Sequence, residues 1–417
     1  MDALTRRNAL RAGGLALLAG VAGCSADAPS GSSGTTTRPC DEDAATWTHD
    51  LGGSVGLPPA LADGTLYVGR KDGRLVALDP NSGDERWSVD AGIGFTGFTG
   101  ASPTVADGRV YVVPGEGAGT AGRGFELVAL DAETGDREWS KSLDETSFLT
   151  FFGVHDGLAL VATHDDALAN EGERLAAIDH ATGDVQWTAE VGDPSDWGVG
   201  AGGVYVASYA GVRAIALADG EPRWQKSYGV AGGFDVTANT VVTSVERDTG
   251  YRLTGFDPES GSVRWRGPDW SAASHATTDD GVVYAGGERI GAYSADSGAE
   301  RWTVRGGGLV AAPPIDGRLF ARLQSGIHAR DPGSGDLLWG TNATLDSPLA
   351  LSPSLVSYVA SPDDPAVPPT LVARHAADGE PALSVTFDDA SSLTTPVLAD
   401  GTVYAATDTG RVTAFQP

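Results

Sequence analysis

The chain has 417 residues, with 56 Asp or Glu against 28 Lys or Arg, so its formal net charge at pH 7 is −28. A surface this acidic repels phosphate backbones, which excludes nucleic acid as a partner. The chain holds two cysteines, Cys24 and Cys40, which excludes a fold stapled by several disulfides.

Residues 1–23 predict an export signal. Arg6 and Arg7 precede an apolar run over residues 12–23, which is shorter than the ~20 residues of a membrane-spanning helix. The paired arginines resemble a twin-arginine signal, and the small residues before Cys24 resemble a lipoprotein cleavage site. We therefore expect Cys24 to be the lipidated first residue of an exported protein. Its lipid would anchor the chain to the outer face of the cytoplasmic membrane.

Residues 24–43 are predicted to be a flexible tether, because Ser, Thr, Gly and Ala dominate and large apolar side chains are almost absent. If Cys24 is acylated, Cys40 has no partner within the chain, and we interpret it as an incidental thiol. Removing residues 1–23 leaves a net charge of −30. This acidic, lysine-poor composition resembles that of proteins from salt-loving archaea, in which acidity keeps the surface hydrated.

From residue 44 onward, short runs rich in Val, Tyr, Leu and Ala alternate with Gly and Asp, which predicts an all-β protein. Residues 77–87 show the repeated pattern: an apolar run, a turn with Asp79 and Gly83, and a second run that carries Trp87. The Asp can bond the backbone two residues on, the Gly can take a positive φ, and the Trp can pack against a neighbouring unit. The tryptophans predicted to be structural repeat positions are Trp47, Trp87, Trp139, Trp187, Trp224, Trp265, Trp302 and Trp339.

Each unit is predicted to hold four strands. In the first unit these are residues 56–61, 65–69 and 74–78, followed by the strand of Trp87. An Asp-Gly pair between apolar runs is a strong hairpin signal, and it occurs at 63–64, 107–108, 156–157, 280–281, 316–317 and 400–401. In the fourth unit the pattern places Gly202 and Gly203 at this turn.

The two chain ends are predicted to complete one unit between them. Residues 395–415 supply three strands without a fourth, and residues 44–51 supply a fourth without its first three. Joining them closes a ring and removes exposed strand edges. Residues 347–387 form a degenerate unit in which Leu383 replaces the tryptophan.

The pattern of Ala, any residue, Asp, three residues, Gly, three residues and Trp resembles the repeat of the pyrroloquinoline-quinone-like β-propellers. That resemblance implies one β-propeller domain over residues 44–417, built from four-stranded antiparallel blades. A direct count gives nine blades, whereas the family usually has eight. We therefore expect eight blades, with nine as the alternative.

The resemblance leaves more than one function open. It implies a lipid-anchored, monomeric protein-binding or scaffold module similar to the propeller lipoprotein of the outer-membrane assembly machinery, with an unknown protein or surface macromolecule as partner. The alternative is a dehydrogenase that uses pyrroloquinoline quinone with calcium. Such enzymes carry adjacent cysteines against the cofactor ring, which this chain lacks, so we predict no cofactor, metal or catalytic residue. A carbohydrate-binding surface module is a further alternative.

Aromatic residues concentrate in the connections between predicted blades. Gathered at one mouth of the channel, they would form a partner or ligand surface, because aromatic side chains dominate binding hot spots. The alternative is that the rings pack between inner strands. The candidate surface residues are Phe95, Phe98, Phe152, Trp197, Phe234, Trp270 and His275.

Overall fold

The computed structural model describes most of the chain beyond residue 44. The described residues are 45–92, 94–95, 102–115, 126–143, 148–164, 174–192, 194–208, 211–229, 234–248, 250–270, 275–310, 312–323, 326–360 and 367–417. Arg6, Arg7, Cys24 and Cys40 lie outside them, so the export signal, the lipid anchor and the tether stay predictions. Among the described residues, no helix is long and apolar enough to cross a membrane.

The described part of the chain forms strands throughout, as predicted. The first half of the strands are β1 (Trp47–Asp50), β2 (Val55–Ala62), β3 (Thr65–Arg70), β4 (Arg74–Leu78), β5 (Glu85–Asp90), β6 (Thr104–Ala106), β7 (Arg109–Val112), β8 (Leu127–Asp131), β9 (Arg137–Lys141), β10 (Phe148–His155), β11 (Leu158–His164), β12 (Arg174–Asp179), β13 (Val185–Glu190), β14 (Pro194–Gly200), β15 (Gly203–Ser208), β16 (Gly211–Ala216) and β17 (Pro222–Lys226).

The second half are β18 (Asp235–Val236), β19 (Val241–Arg247), β20 (Gly250–Phe256), β21 (Val263–Trp270), β22 (His275–Asp279), β23 (Val282–Ser294), β24 (Glu300–Val310), β25 (Leu319–Leu323), β26 (Gly326–Arg330), β27 (Leu337–Asn342), β28 (Ala350–Leu351), β29 (Leu355–Ala360), β30 (Thr370–His375), β31 (Pro381–Thr386), β32 (Val397–Ala399), β33 (Thr402–Ala406) and β34 (Arg411–Phe415).

Consecutive strands pair antiparallel in groups of four. Strands β2–β5, β6–β9, β10–β13, β14–β17 and β18–β21 form blades 1 to 5, and β28–β31 form blade 8. In each of them the first strand is the inner strand and the fourth is the outer strand. Hydrophobic clusters lie between adjacent blades; one of them joins Leu57 and Trp87 of blade 1 to Val110 and Val128 of blade 2. The core is therefore a series of layers between blades.

Blades 6 and 7 share one continuous six-stranded sheet, β22–β27. Strand β23 pairs with β22 through residues 282–286 and with β24 through residues 287–293, so it fills the second and third positions of blade 6. Strand β24 pairs with β23 and then, at Leu309 and Val310, with β25. It is therefore the outer strand of blade 6 and the inner strand of blade 7.

The two chain ends close the ring in blade 9, as predicted. Strand β1 pairs antiparallel with β34, with Trp47 opposite Ala414 and Asp50 opposite Arg411, so the sheet runs β1, β34, β33, β32. Within the described residues the ring therefore has nine blades. The expectation of eight came from the usual size of the resembling family and is replaced by the direct repeat count.

The Asp-Gly hairpins form as the sequence predicts. Asp63 has φ 48° and Gly64 has φ 70°, and the other five predicted pairs have similar positive values. Two successive residues with positive φ are typical of the tight turn that matches the twist of a hairpin. In blade 4 the turn lies one residue earlier than predicted, at Ala201 (φ 48°) and Gly202 (φ 67°).

The repeat tryptophans lock each blade to the next. Their indole N–H groups donate to a backbone carbonyl in the turn before the outer strand of the following blade, at 2.7 to 3.1 Å. Trp224, for example, donates to the Pro258 carbonyl at 2.9 Å. Its ring also covers Gly261, where a Cβ would lie 2.5 Å from a ring atom and φ is +64°. The repeated Gly and Trp thus fit each other across blades.

Leu383 of blade 8 is explained by the same geometry. The next blade is blade 9, whose third strand β34 comes from one chain end and whose outer strand β1 comes from the other. Blade 9 therefore has no turn between these two strands to receive an indole. Leu383 instead packs in a cluster with Phe387 and Phe415.

A tyrosine on the second strand reinforces four of the locks. Tyr111 Oη and Trp139 Nε1 both donate to the His180 carbonyl, at 3.3 and 3.1 Å, and the same arrangement occurs at Ala132, Pro258 and Pro80. A carbonyl oxygen has two lone pairs, so both donors are accommodated. Burial raises the pKa of Tyr111 to about 12.

We expect the stability contributed by Tyr111 to fall as the pH rises from about 10 to 12. In this window the unfolded phenol, with its ordinary pKa near 10, loses its proton while the folded one keeps it, at about 1.4 kcal/mol per pH unit. Below pH 10 the contribution is fully present. Unfolding free energies measured from pH 9 to 12 should show a shallower loss for Tyr111→Phe than for wild type. An identical slope for Tyr111→Phe and wild type would contradict this contribution.

Candidate functional site

The antiparallel blades give the ring two distinct faces. The turns between strands one and two and between strands three and four lie at the same end of each blade, which we call the turn face. Backbone bonds join the two turns within a blade, as from Ala132 N to Gly108 O and from Leu217 N to Gly202 O. The hairpins between strands two and three and the connections between blades lie at the opposite end, the loop face.

Four of the predicted surface aromatics are buried between blades. Phe95 is 0% exposed, Trp270 1%, Phe152 5% and Phe234 8%, and each belongs to a different hydrophobic cluster. The guanidinium of Arg289 also covers Trp270, 5.4 Å from the ring centre. These rings are packing residues of the inter-blade layers, which corrects the prediction that they form a surface.

Trp197 is the half-buried exception. Its ring stacks on Phe152 of blade 3 with centroids 4.1 Å apart and an interplanar angle of 18°, and it lies on β14, an inner strand. Phe98 lies outside the described residues. His275 begins the inner strand β22, and its side chain is likewise outside the description. A binding role for Trp197, Phe98 and His275 therefore stays a prediction.

Two aspartates on inner strands join neighbouring blades, and the sequence analysis missed them. Asp196 of blade 4 accepts the Phe234 N–H at 3.1 Å. Asp235 of blade 5 accepts both the backbone N–H of Thr278 at 2.6 Å and its hydroxyl at 2.8 Å. In the sequence, an acidic residue within a mostly apolar inner strand could have indicated this role. These carboxylates connect the inner strands of blades 4, 5 and 6.

Replacing Asp235 with Ala is expected to lower the free energy of unfolding by about 2 kcal/mol, because hydrogen bonds to a charged group contribute more than neutral ones. Chemical denaturation followed by far-UV circular dichroism measures the change. The matched control is Asp248→Ala, at an exposed loop-face position, which should stay within about 0.5 kcal/mol of wild type. Equal effects at the two positions would contradict the inter-blade role of Asp235.

The repeated aspartates of the turn face have depressed pKa values with structural causes. Backbone N–H bonds from Thr134, Thr182 and Ser334 are the main reason that the pKa values of Asp131, Asp179 and Asp331 lie below the ordinary value. For Asp79 the main cause is the side-chain bond from Arg86. Each of these carboxylates closes its own turn, as the sequence predicts, and none is poised for proton transfer at neutral pH.

The inner strands offer little polar chemistry to a ligand in the channel. In the described inner strands, with only Leu309 and Val310 counted from β24, no residue is Lys or Arg, and Gly, Ala, Val, Leu and Pro predominate. Within the described part of the chain, no three His, Cys, Asp or Glu side chains are grouped so that they could hold a metal ion.

A family profile matches nearly the whole chain. The profile of the PQQ_2 family, described as outer membrane protein assembly factor BamB, matches residues 38–243, 208–342 and 323–417. The outer membrane protein assembly factor BamB of Moranella endobia is 26% identical over 282 residues, which cover 61% of this chain and 70% of that protein.

Two further similarities differ in what they cover. A quinohemoprotein alcohol dehydrogenase of Comamonas testosteroni is 45% identical over 83 residues, but these cover 19% of this chain and only 11% of that protein. The crystal structure of BamB from Moraxella catarrhalis superposes with a TM-score of 0.53 at 16% identity, covering 89% of this chain and 99% of that one. This second likeness supports the fold alone. Because the family profile matches residues 38 to 417, the protein belongs to the PQQ_2 family of β-propellers, whose description is outer membrane protein assembly factor BamB.

Proposed function

We propose that the protein is a non-catalytic scaffold outside the cytoplasm that binds a protein partner. The observation that carries this proposal is the match of the assembly-factor family profile over residues 38–417. The match to the alcohol dehydrogenase, by contrast, is confined to about a tenth of that enzyme. A ring whose blades are joined by indoles, most of them buried, suits a platform, since a preorganised surface loses little conformational entropy on binding.

The inner strands do not fit the pyrroloquinoline quinone of the alternative function. That cofactor carries several carboxylates, and a site for it needs cations or donors around the ring system. The described inner strands, with only Leu309 and Val310 counted from β24, carry the carboxylates of Asp196, Asp235 and Asp279 and no Lys or Arg. These carboxylates would repel the carboxylates of the cofactor. The carbohydrate-binding alternative needs exposed aromatic rings, and four of its candidates are buried.

Whole-cell cross-linking followed by identification of the attached proteins tests the binding role. The expected result is a defined protein partner that the wild-type chain captures repeatedly. Reduction of a dye by an alcohol or sugar after addition of pyrroloquinoline quinone and calcium to the purified protein would instead favour the dehydrogenase. Absence of any captured protein together with dye reduction would overturn the proposal.

The proposal includes a lipid anchor on Cys24. Replacing Cys24 with Ser removes the thiol that would be acylated, so we expect the protein to move from the membrane fraction to the soluble fraction. Fractionation and immunoblotting measure the shift. Cys40→Ser is the matched control and should leave the protein with the membrane; an unchanged distribution of the Cys24 variant would contradict the anchor.

A further inference from the structure

The outer strand of blade 7 exposes two consecutive leucines. Leu337 is 53% exposed and Leu338 is 48% exposed, the largest values for large apolar side chains among the described residues. We call them the leucine pair. They lie on β27 just before Trp339, which is buried, and β27 is the unpaired edge of its sheet in the described structure.

The propeller fold does not require leucine at these positions. In blades 1 to 6 the residue directly before the repeat tryptophan is polar: Arg86, Glu138, Gln186, Arg223, Arg264 and Arg301. Several of these side chains brace the hairpin of their own blade. Arg86 donates to Thr65 Oγ1 at 2.6 Å, and Arg223 donates to the Gly202 carbonyl at 2.7 Å. Leu338 has no donor and cannot make such a bond.

The edge of β27 also lacks the usual protection against strand pairing. Charged side chains on an edge strand discourage pairing with another chain. The outer strands of blades 1 to 6 each carry charged residues, whereas Leu337–Asn342 carries none. The pattern of blade 7 therefore combines free backbone groups with an apolar surface, which is the combination that strand addition uses.

Charge and size decide which occupant fits the leucine pair. A second copy of this chain carries a net charge of −28 and would be repelled, and two leucines are far short of the roughly 800 Å² per partner of a stable interface. Residues 25–38 of the chain hold almost no large apolar side chain to cover the pair. Asp331 and Asp336 lie just before the leucine pair, in the turn that leads into β27. These features favour a foreign extended segment whose apolar side chains are accompanied by Lys or Arg.

We propose that β27 accepts an extended segment of a partner protein as a fifth strand of blade 7. Apolar side chains of the segment cover Leu337 and Leu338, and its Lys or Arg residues lie beside Asp331 and Asp336. This inference rests on the proposed binding function and assigns it a surface and a class of partner.

The test is the binding of a fluorescent peptide, Lys-Val-Leu-Val-Leu-Val-Lys, measured by anisotropy. The variant L337E/L338R gives blade 7 the Glu-Arg sequence that blades 1 and 6 carry as Glu85–Arg86 and Glu300–Arg301, so it is expected to fold. We expect it to bind the peptide at least about tenfold more weakly, the equivalent of about 1.4 kcal/mol. A folded E85L/R86L variant, which places a leucine pair on blade 1, should bind a second peptide.

Peptide controls separate the parts of the proposal. Replacing the central Val of the peptide with Pro removes a backbone donor and should weaken binding, and replacing both Lys with Glu should weaken it further. Equal affinity of wild type and L337E/L338R, or no binding to either, would overturn the inference. If cross-linking captures the same partner with wild type and L337E/L338R, the protein is a binder that uses another surface.

Discussion

Replacing Trp224 with Ala is expected to lower the free energy of unfolding by about 3–5 kcal/mol, the usual cost of removing a buried Trp side chain. The change removes the ring that covers Gly261 and the indole N–H that bonds the Pro258 carbonyl. It also leaves a cavity between blades 4 and 5, beside Tyr205 and Phe256. Denaturant titration followed by far-UV circular dichroism measures the loss.

Two further variants separate the contribution of the Trp224 hydrogen bond from that of its ring packing on Gly261. Trp224→Phe keeps one aromatic ring but loses the N–H donor and part of the ring volume, so the lost hydrogen bond should cost about 1 kcal/mol in addition to the cost of the lost volume. Gly261→Ala leaves Trp224 in place but forces a Cβ to within 2.5 Å of the ring at a positive φ, and it should therefore destabilise as well. A wild-type transition midpoint for Gly261→Ala would show that the ring and the glycine do not fit together as described.

Removing residues 1–50 is expected to open the ring and yield soluble aggregates or unfolded protein. The deletion takes away β1, which pairs with β34, and Trp47, which donates to the Pro80 carbonyl and whose ring contacts that of Tyr404 at a tilted angle. Trp47 is half-buried, so the loss of its side chain alone should cost less than the about 3–5 kcal/mol of a fully buried Trp, and the loss of the strand pairing adds to it. The exposed edge of β34 then offers unpaired backbone groups to other chains. Size-exclusion chromatography with light scattering measures the outcome.

The control deletion removes residues 1–44 and keeps β1. This shorter deletion should give a folded protein with the same thermal transition as the full chain, because it leaves the β1–β34 ladder intact. A compact, stable protein after removal of residues 1–50 would mean that the eight blades without β1 hold together unaided, which would contradict the closing role of β1.

The fold was predictable because its signals are local and repeated. The Asp-Gly pairs, the glycine four residues before each tryptophan and the split of one blade between the two ends all predicted features that the structure contains. The nine blades match the direct count of repeats, which the prediction kept as the alternative to the eight blades usual in the resembling family. The prediction placed the turn of blade 4 one residue too late. Ala201 adopts a positive φ, which is usual for glycine and uncommon for alanine.

The candidate surface was less predictable, because the sequence does not show which side of a strand faces water. Phe95, Phe234 and Trp270 lie in segments that read as loops, yet the tight inter-blade layers bury them. Conversely, Leu337 and Leu338 read as ordinary strand residues and are exposed. Leu338 departs from the polar residue that stands directly before the repeat tryptophan in blades 1 to 6, and this departure was visible in the alignment of the repeats.

The interruption of the chain in blade 9 has a topological consequence. It falls where the other blades have a turn between their third and outer strands, and the strands on either side of it occupy ordinary positions. A circular permutant that joins Pro417 to Ala45 through a short linker and begins instead within the equivalent turn of blade 1 should build the same nine blades. Which blade is assembled from both ends is then a matter of where translation starts, and not of how the blades pack.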